Sequence, residues 1–324
     1  MPEILDLKDR KIIYVLDFDA RMPLSVLAKK VGLSKQVTKY RLDNLQKTGI
    51  IQGFYTDINA SKIDLAIYLV YLNLHHFTPD VEKQFLSHIS QQKNVGLNVS
   101  INGKWDYCIG IWAESVIHFK NYYQDIMKDY EKYIKNKTVM IETDFYYFKP
   151  KHILDKKEDR QITMSGLPQH FLLDKIDRHI LSKLASNSRI PLVDLGRSVG
   201  LTPNAVKQRI KHLEKNEVIL GYRVMINYTI LGFLHYRVFL HFEHLTEKRE
   251  KMIIQFLKHD DNVISVTKTI GYCDFEFRAV LKTVHEFYTL MENIRNVCPE
   301  LKDYESILYH QFYGALNYFP FPNN

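Results

Sequence analysis

Two short runs of side chains in this sequence carry the donors and acceptors needed to grip a polyanion and read the bases along it. The first comprises Ser34, Lys35, Gln36, Lys39, Tyr40 and Arg41. The second comprises Thr202, Asn204, Lys207, Gln208, Arg209 and Lys211. Asn and Gln amides can pair with an adenine edge, while Lys and Arg can reach guanine or phosphate oxygens. A lone polar helix face is usually plain solvated surface. Here each run opens on a Ser or Thr able to cap a helix, and the pattern occurs twice, which predicts contact with double-stranded DNA.

The neighbouring residues supply the elements that would present these side chains. Asp6 is placed to cap a helix burying Ile12, Ile13 and Leu16. Pro23 opens a second helix with Leu24, Leu27, Ala28 and Val31 inward, and Gly32 gives the turn that ends it. Ser34 caps a third, with Val37, Thr38, Leu42 and Leu45 expected to face inward and Gly49 closing it. The second stretch repeats this, with Thr202 as cap, Pro203 at the first helical position, and Val206, Ile210 and Leu213 buried. A helix, a Gly-Leu-Ser/Thr turn and a further helix form a helix-turn-helix pattern. Ile50–Tyr55 and Val218–Arg223 follow, apolar around a Gly, and are expected to form β-ribbon wings along the phosphate backbone.

The repetition is general. Leu5-Asp6-x-x-Asp9-Arg10-x-Ile12-Ile13-x-x-Leu16 aligns with Leu173-Asp174-x-x-Asp177-Arg178-x-Ile180-Leu181-x-x-Leu184 at an offset of 168, and residues 5–53 hold nineteen identities in forty-nine ungapped pairs. Arg21-x-Pro23-Leu24 matches Arg189-x-Pro191-Leu192, and Gly103-x-x-Asp106 matches Gly271-x-x-Asp274. The last ninety or so residues of each copy alternate strand-like and amphipathic stretches in the order βαββαβ, a ferredoxin-like sandwich. The predicted fold is therefore α+β, with a winged helix-turn-helix at 1–60, a ferredoxin-like domain at 61–150, a flexible linker at 151–170, a second winged helix-turn-helix at 171–228 and a second ferredoxin-like domain at 229–324. Each sheet should leave an aromatic and aliphatic face open. This predicts sheet pairing, within or between chains, and at least a dimer of chains.

Composition narrows the alternatives. The 324 residues include 46% apolar and 25% charged side chains with a net charge of +7, an ordinary globular balance that permits a polyanionic partner without requiring one. Cys108, Cys273 and Cys298 are too scattered for a disulfide framework or zinc site and read as reduced thiols. Neither an apolar signal core nor a membrane-length apolar run is present, so the expectation is a cytoplasmic protein without membrane attachment. His75-His76 and His241-x-x-His244 invite a metal, but adjacent strand residues point to opposite faces, and no metal is expected. Tyr146, Tyr147, Tyr309 and Tyr313 fit core and pairing surface better than stacking platforms. With no phosphate-binding Gly loop and no catalytic triad in context, neither a cofactor nor an enzymatic activity is expected.

The opening Leu-Asp-x-x-Asp-x-x-Ile-Leu, the Arg before the second helix, and Gly200-Leu-Thr-Pro-Asn-Ala-Val-Lys-Gln-Arg-Ile-Lys-His-Leu-Glu214 followed by Ile219-Leu-Gly-Tyr222 resemble the Lrp/AsnC (leucine-responsive and asparagine regulator) family of transcription factors. The match is duplicated and covers nearly the whole chain outside the linker. Copy one departs at Lys35, where the family has Pro, and at Thr38, where an aliphatic is typical. The resemblance implies sequence-specific transcription regulation, self-association through the ferredoxin-like halves, and an amino acid or related metabolite as effector. It would place that effector near Gly103, Asp106, Gly271 and Asp274, although a plain hairpin also uses Gly and Asp this way. Siroheme decarboxylases resemble the same fold and are the alternative, with a metabolite-binding scaffold lacking DNA binding as a third reading.

Overall fold

The structure, a computed structural model, describes residues 5–154, 160–165 and 170–312. Copy one begins with helices α1 (Leu7–Leu16), α2 (Leu24–Val31) and α3 (Lys35–Lys47). Asp6 caps α1 by accepting from the amides of Lys8 and Asp9, both at 2.8 Å. Gly32, at φ +68°, ends α2 in the left-handed conformation that its lack of Cβ permits. Ile12, Ile13, Leu16, Leu27, Val31, Leu42 and Leu45 form the shared core. Val37, expected inward, is instead 42% exposed, while its neighbour Thr38 is buried and bonds back to the Ser34 carbonyl at 2.8 Å.

Strand β1 (Ile51–Ile58) leads into β2 (Ala66–Leu74), α4 (Pro79–Ser90), β3 (Val95–Asn102), β4 (Tyr107–Ala113), α5 (Val116–Met127) and β5 (Ile134–Phe148). The segment expected to be a flexible linker holds a short helix α6 (Lys151–Leu154) and a strand β6 (Gln161–Met164), which adds to the end of β5. Copy two follows as α7 (Lys175–Ser186), α8 (Leu192–Val199), α9 (Pro203–Lys215), β7 (Ile219–Ile226), β8 (Leu234–Phe242), α10 (Glu247–His259), β9 (Val263–Ile270), β10 (Phe275–Leu281), α11 (Val284–Val297) and β11 (Leu301–Phe312).

The expected wings take another form. A single strand after each recognition helix has no partner in its own copy, so β1 and β7 pair antiparallel with each other, Phe54 opposite Val224 and Tyr55 opposite Arg223. Around this ribbon the helix-turn-helix units clasp reciprocally. Arg21 donates to the carbonyls of Ser188 (2.6 Å) and Ile190 (3.0 Å), and its counterpart Arg189 donates to those of Ala20 and Met22. The residue before the second helix is thus a clamp between copies.

The two ferredoxin-like sheets satisfy each other in the same way. Within copy one the strand order is β5-β2-β4-β3, and within copy two β11-β8-β10-β9. Edge strand β3 pairs with β11, and β9 pairs with β5, so the sheets close into an eight-stranded ring. Closure leaves no open edge in the ring. Helices α4 and α5 cover the outside of the first sheet, packing Phe85, Ile89, Ile126 and Met127 on Val70 and Leu72, and α10 and α11 cover the second through Ile253, Leu257, Leu290 and Ile294. The sheet faces expected to be open therefore turn into the ring, each covered by the other copy of the same chain; that of copy one is apolar, with Leu69, Val99 and Cys108, whereas that of copy two, expected to be aromatic and aliphatic, carries Arg237, Thr267 and Glu276, which bury together because they pair with one another.

The two Gly-x-x-Asp hairpins seat this seam. A Cβ on Gly271 (φ +115°) would stand 2.7 Å from the carbonyl oxygen of Val139 in the other copy, and one on Gly103 (φ +142°) 3.1 Å from that of Ser306. Gly271→Ala should therefore lower unfolding free energy by about 1–3 kcal/mol in urea titrations, combining backbone strain with the clash. Gly53→Ala, whose Cβ would meet nothing within 4 Å, should change it by less than about 0.5 kcal/mol.

Candidate nucleic-acid interface and the interior of the ring

Helices α3 and α9 present matched faces. Ser34 and Thr202 cap them, accepting from the amides of Val37 and Ala205 at 3.2 Å each, so their hydroxyls are engaged by their own helices. Lys35, Gln36, Lys39 and Tyr40 are exposed on α3, Tyr40 at 73%. Asn204, Lys207, Gln208 and Lys211 are exposed on α9. These side chains share one outward face in each copy and can meet a groove. Lys39 carries an exposed pairing to Asp43 at 2.5 Å, which solvent screens and which a phosphate could replace.

Arg41 and Arg209 are turned the other way. Arg41 donates to Asp6 at 2.7 Å and Asp9 at 2.9 Å, and Arg209 to Asp174 at 2.7 Å and Asp177 at 2.8 Å. Each arginine thus ties a recognition helix to the first helix of its unit, and the two aspartates of the opening motif are its receptors as well as the cap. Their carboxylates raise both guanidinium pKa values further.

The four loop residues considered for an effector have structural partners. Asp106 accepts from the Leu74 amide at 2.7 Å and the Asn73 side chain at 2.9 Å, and Asp274 from the Phe242 amide at 2.7 Å. Gly103 and Gly271 pack on the opposite copy as described above. A shallow pocket beside the first loop is lined by Asn73, Lys104, Trp105, Lys137 and Tyr272. Among the described residues no group of three metal-ligating side chains occurs, and no helix is long and apolar enough to cross a membrane. The three cysteines are buried thiols. Tyr147 and Tyr309 are buried in the seam, and Tyr313 lies outside the described residues.

A charged cluster inside the ring is the feature that motif reading passes over. Arg237 on β8 forms a two-pronged ion pair with Glu276 on β10, and reaches Glu142 of copy one and the Tyr309 hydroxyl at 3.2 Å each. Thr267 donates to Glu276 at 3.1 Å, and Arg278 donates to Ser265 at 2.6 Å. Beside it, fully buried Arg223 bonds Asp17 at 2.6 Å and Asp57 at 3.2 Å, with its guanidinium carbon 3.2 Å from the centre of the Tyr147 ring. Breaking one partner of such a pair leaves a costly buried charge. Burial, then the neighbouring Glu276 charge, push Glu142 up to about 7, and burial with the Asp17 charge also raises Asp57 against the pull of Arg223. A strand-period signal was present in the sequence: His235 and Arg237, and likewise Glu276 and Arg278, are two apart and so share one face.

The comparisons fit this architecture. Residues 173–214 match the AsnC-type helix-turn-helix domain family, and residues 5–52 match a winged helix-turn-helix DNA-binding family. An uncharacterized HTH-type transcriptional regulator of Pyrococcus furiosus is 34% identical over 125 residues, 38% of this chain and 80% of the relative. The leucine-responsive regulatory protein of Haemophilus influenzae is 46% identical over 59 residues, 18% of this chain and 36% of that protein. Along nearly its full length the chain has the fold of the siroheme decarboxylase NirDL, with TM-score 0.61 over 95% of this chain and 92% of that one; at 12% identity the likeness is one of fold. Two helix-turn-helix units, each bearing an exposed polar recognition face, define a DNA-binding transcription regulator. The chain belongs to the Lrp/AsnC family, with two copies of the family's unit in one polypeptide.

Because the folded state holds the Glu142 proton more tightly than an unfolded carboxyl does, ionising it opposes folding. That penalty is absent below about pH 4.5, grows as pH rises, and is complete above about 7. Glu142→Gln should accordingly gain stability relative to the parent between pH 5.5 and 8, by roughly 1–3 kcal/mol, in urea titrations at fixed ionic strength. A difference independent of pH would refute the assignment.

Proposed function

We propose that this protein is a sequence-specific, cytoplasmic transcription regulator, non-catalytic, whose two unlike recognition helices read two unlike half-sites and whose DNA affinity responds to an amino acid or related metabolite. The observation that carries the reading is the matched outward faces of α3 and α9 on one clasped pair of units. A homodimer offers two identical helices and prefers a palindrome. Here Lys39 and Lys207 are equivalent, whereas Lys35 stands where copy two has Pro203, Gln36 where it has Asn204, Tyr40 where it has Gln208, and Asp43 where it has Lys211. The shared lysines give common anchoring, and Gln208 can pair bidentately with adenine where Tyr40 cannot. Arg41 and Arg209 contribute by fixing helix orientation and, once a phosphate competes with their aspartates, by direct contact.

Pairs of chains are part of this proposal. The inner sheet faces are consumed within one chain, so chain–chain contact would use other surfaces. The N-terminal halves of α5 and α11 expose Val116, Ile117, Val284 and Tyr288, an apolar set suited to that contact. Light scattering at micromolar concentration should give at least twice the chain mass.

Selection of bound sequences from random DNA should return a composite site with two non-identical halves. Exchanging residues 34–48 for 202–216 should make the halves alike. Recovery of only symmetric half-sites would overturn the two-reader arrangement.

Six to eight phosphate contacts would make log K fall with log salt at a slope of about −5 to −7. Lys39→Ala and Lys207→Ala should each weaken binding by about 1 kcal/mol or more. A slope near zero would remove the helices from the DNA.

A further inference from the structure

Two reading units in one chain need not be held at a fixed distance. Flexibly tethered units would each find a half-site over a range of separations. The β1–β7 ribbon narrows that range without removing it. It is a ladder of only two strands, the form of sheet that twists most. Its register also shifts near both ends, between Ile51 and Gly53 and between Asp57 and Ile58.

A second joint lies beside the ribbon, where the loop between the first and second helices of each unit meets its counterpart. Arg21 reaches the carbonyls of Ser188 and Ile190, the residues on either side of Arg189, and Arg189 reaches those of Ala20 and Met22, the residues on either side of Arg21. The backbone closes the same joint. The Ser188 amide donates to the Phe54 carbonyl and the Ala20 amide to the Tyr222 carbonyl, both at 2.9 Å. The Arg189 guanidinium also lies over the Phe54 ring, 5.3 Å from its centre.

The chemistry of this joint suits positioning. Two like charges meet in it: burial, and then the Arg21 charge, lower the pKa of Arg189. All four acceptors are backbone carbonyls. A carboxylate would offset the charge better, but it moves with its own side chain, whereas a carbonyl cannot leave its loop. Met22 and Ile190 directly precede Pro23 and Pro191, whose rings fix φ at the entries of α2 and α8. Each arginine therefore holds the start of the other unit's second helix. Through the packing of α2 on α3, and of α8 on α9, it holds the recognition helix as well.

We infer that Arg21 and Arg189 are positioning residues that set the separation and helical phase of the two half-sites, so that the chain reads the spacing within its operator as well as the bases. This rests on the two-reader arrangement proposed above. One inserted base pair moves a half-site by about 3.4 Å along the DNA and turns it by about 34°. A joint that locks both loops to the opposite backbone resists the shift and the rotation together.

The test uses duplexes carrying the composite site recovered by selection, with one, two, five or ten base pairs inserted between its halves, and a duplex carrying one half alone. Fluorescence anisotropy gives the affinity of the full chain for each. The parent protein should lose at least tenfold at one inserted base pair. It should not recover at ten, because a full turn restores phase but parts the halves by about 34 Å more. The double variant Arg21→Gln with Arg189→Gln should lose threefold or less at one inserted base pair, with its affinity for the single half-site within twofold of the parent's. Should the double variant fail to fold, Arg21→Gln alone decides, with a loss between those two values. A variant weakened by the same factor at every spacing would make the arginines merely structural and overturn the inference. A parent profile indifferent to spacing, or recovered at ten base pairs, would overturn it too, and each of these outcomes leaves two readers in place. A single half-site bound as tightly as the composite site would instead overturn the two-reader arrangement, and the inference with it.

Discussion

Everything in this molecule depends on the edges of two small sheets finding each other. A four-stranded ferredoxin-like sheet has one face covered by helices, one apolar face bare, and two unpaired edges. Pairing β3 with β11 and β5 with β9 satisfies all of these needs in one closure. The Gly103 and Gly271 hairpins can approach the opposite backbone because they carry no side chain, and the β1–β7 ribbon carries the same pseudo-twofold arrangement to the helix-turn-helix pair. The reciprocal clamps of Arg21 and Arg189 then fix the two recognition helices as one body.

Covalent duplication releases the two halves from having to stay identical. Two-fold assemblies of identical chains must repeat every interior residue, so a buried cation on one wall appears on the other as well. This chain keeps symmetry where it builds the scaffold, in the caps, the arginine braces and the strand register. Among the positions where the copies differ are the ring interior, with Arg237 in place of Leu69, and the recognition faces, with Gln208 in place of Tyr40.

Much of this was legible in the residues. The internal repeat, the capped helices and the βαββαβ order followed from apolar periodicity and from Ser, Thr, Pro and Gly at helix ends, and the structure has them. Three features were not legible, for physical reasons. Ile50–Tyr55 has the alternation of a strand, but alternation does not name the partner, and the partner lies 168 residues away. The apparent linker is polar, yet Gln161–Met164 finds a free ladder at the end of β5. Arg41 looks outward from helical spacing alone, and only the packing of α1 against α3 brings Asp6 and Asp9 beneath it. The interior charges carried a readable signal, the i, i+2 spacing of His235 with Arg237 and Glu276 with Arg278, but it becomes informative only when copy two is laid over copy one.

The intrachain ribbon also changes how the protein responds to its own abundance. Where two separate chains must meet before both helix-turn-helix units are available, the population competent for DNA rises steeply with concentration and collapses on dilution. With β1 and β7 drawn from one polypeptide, the second unit is present at an effective concentration set by the chain itself. The paired helix-turn-helix units are then as complete in dilute solution as in concentrated solution.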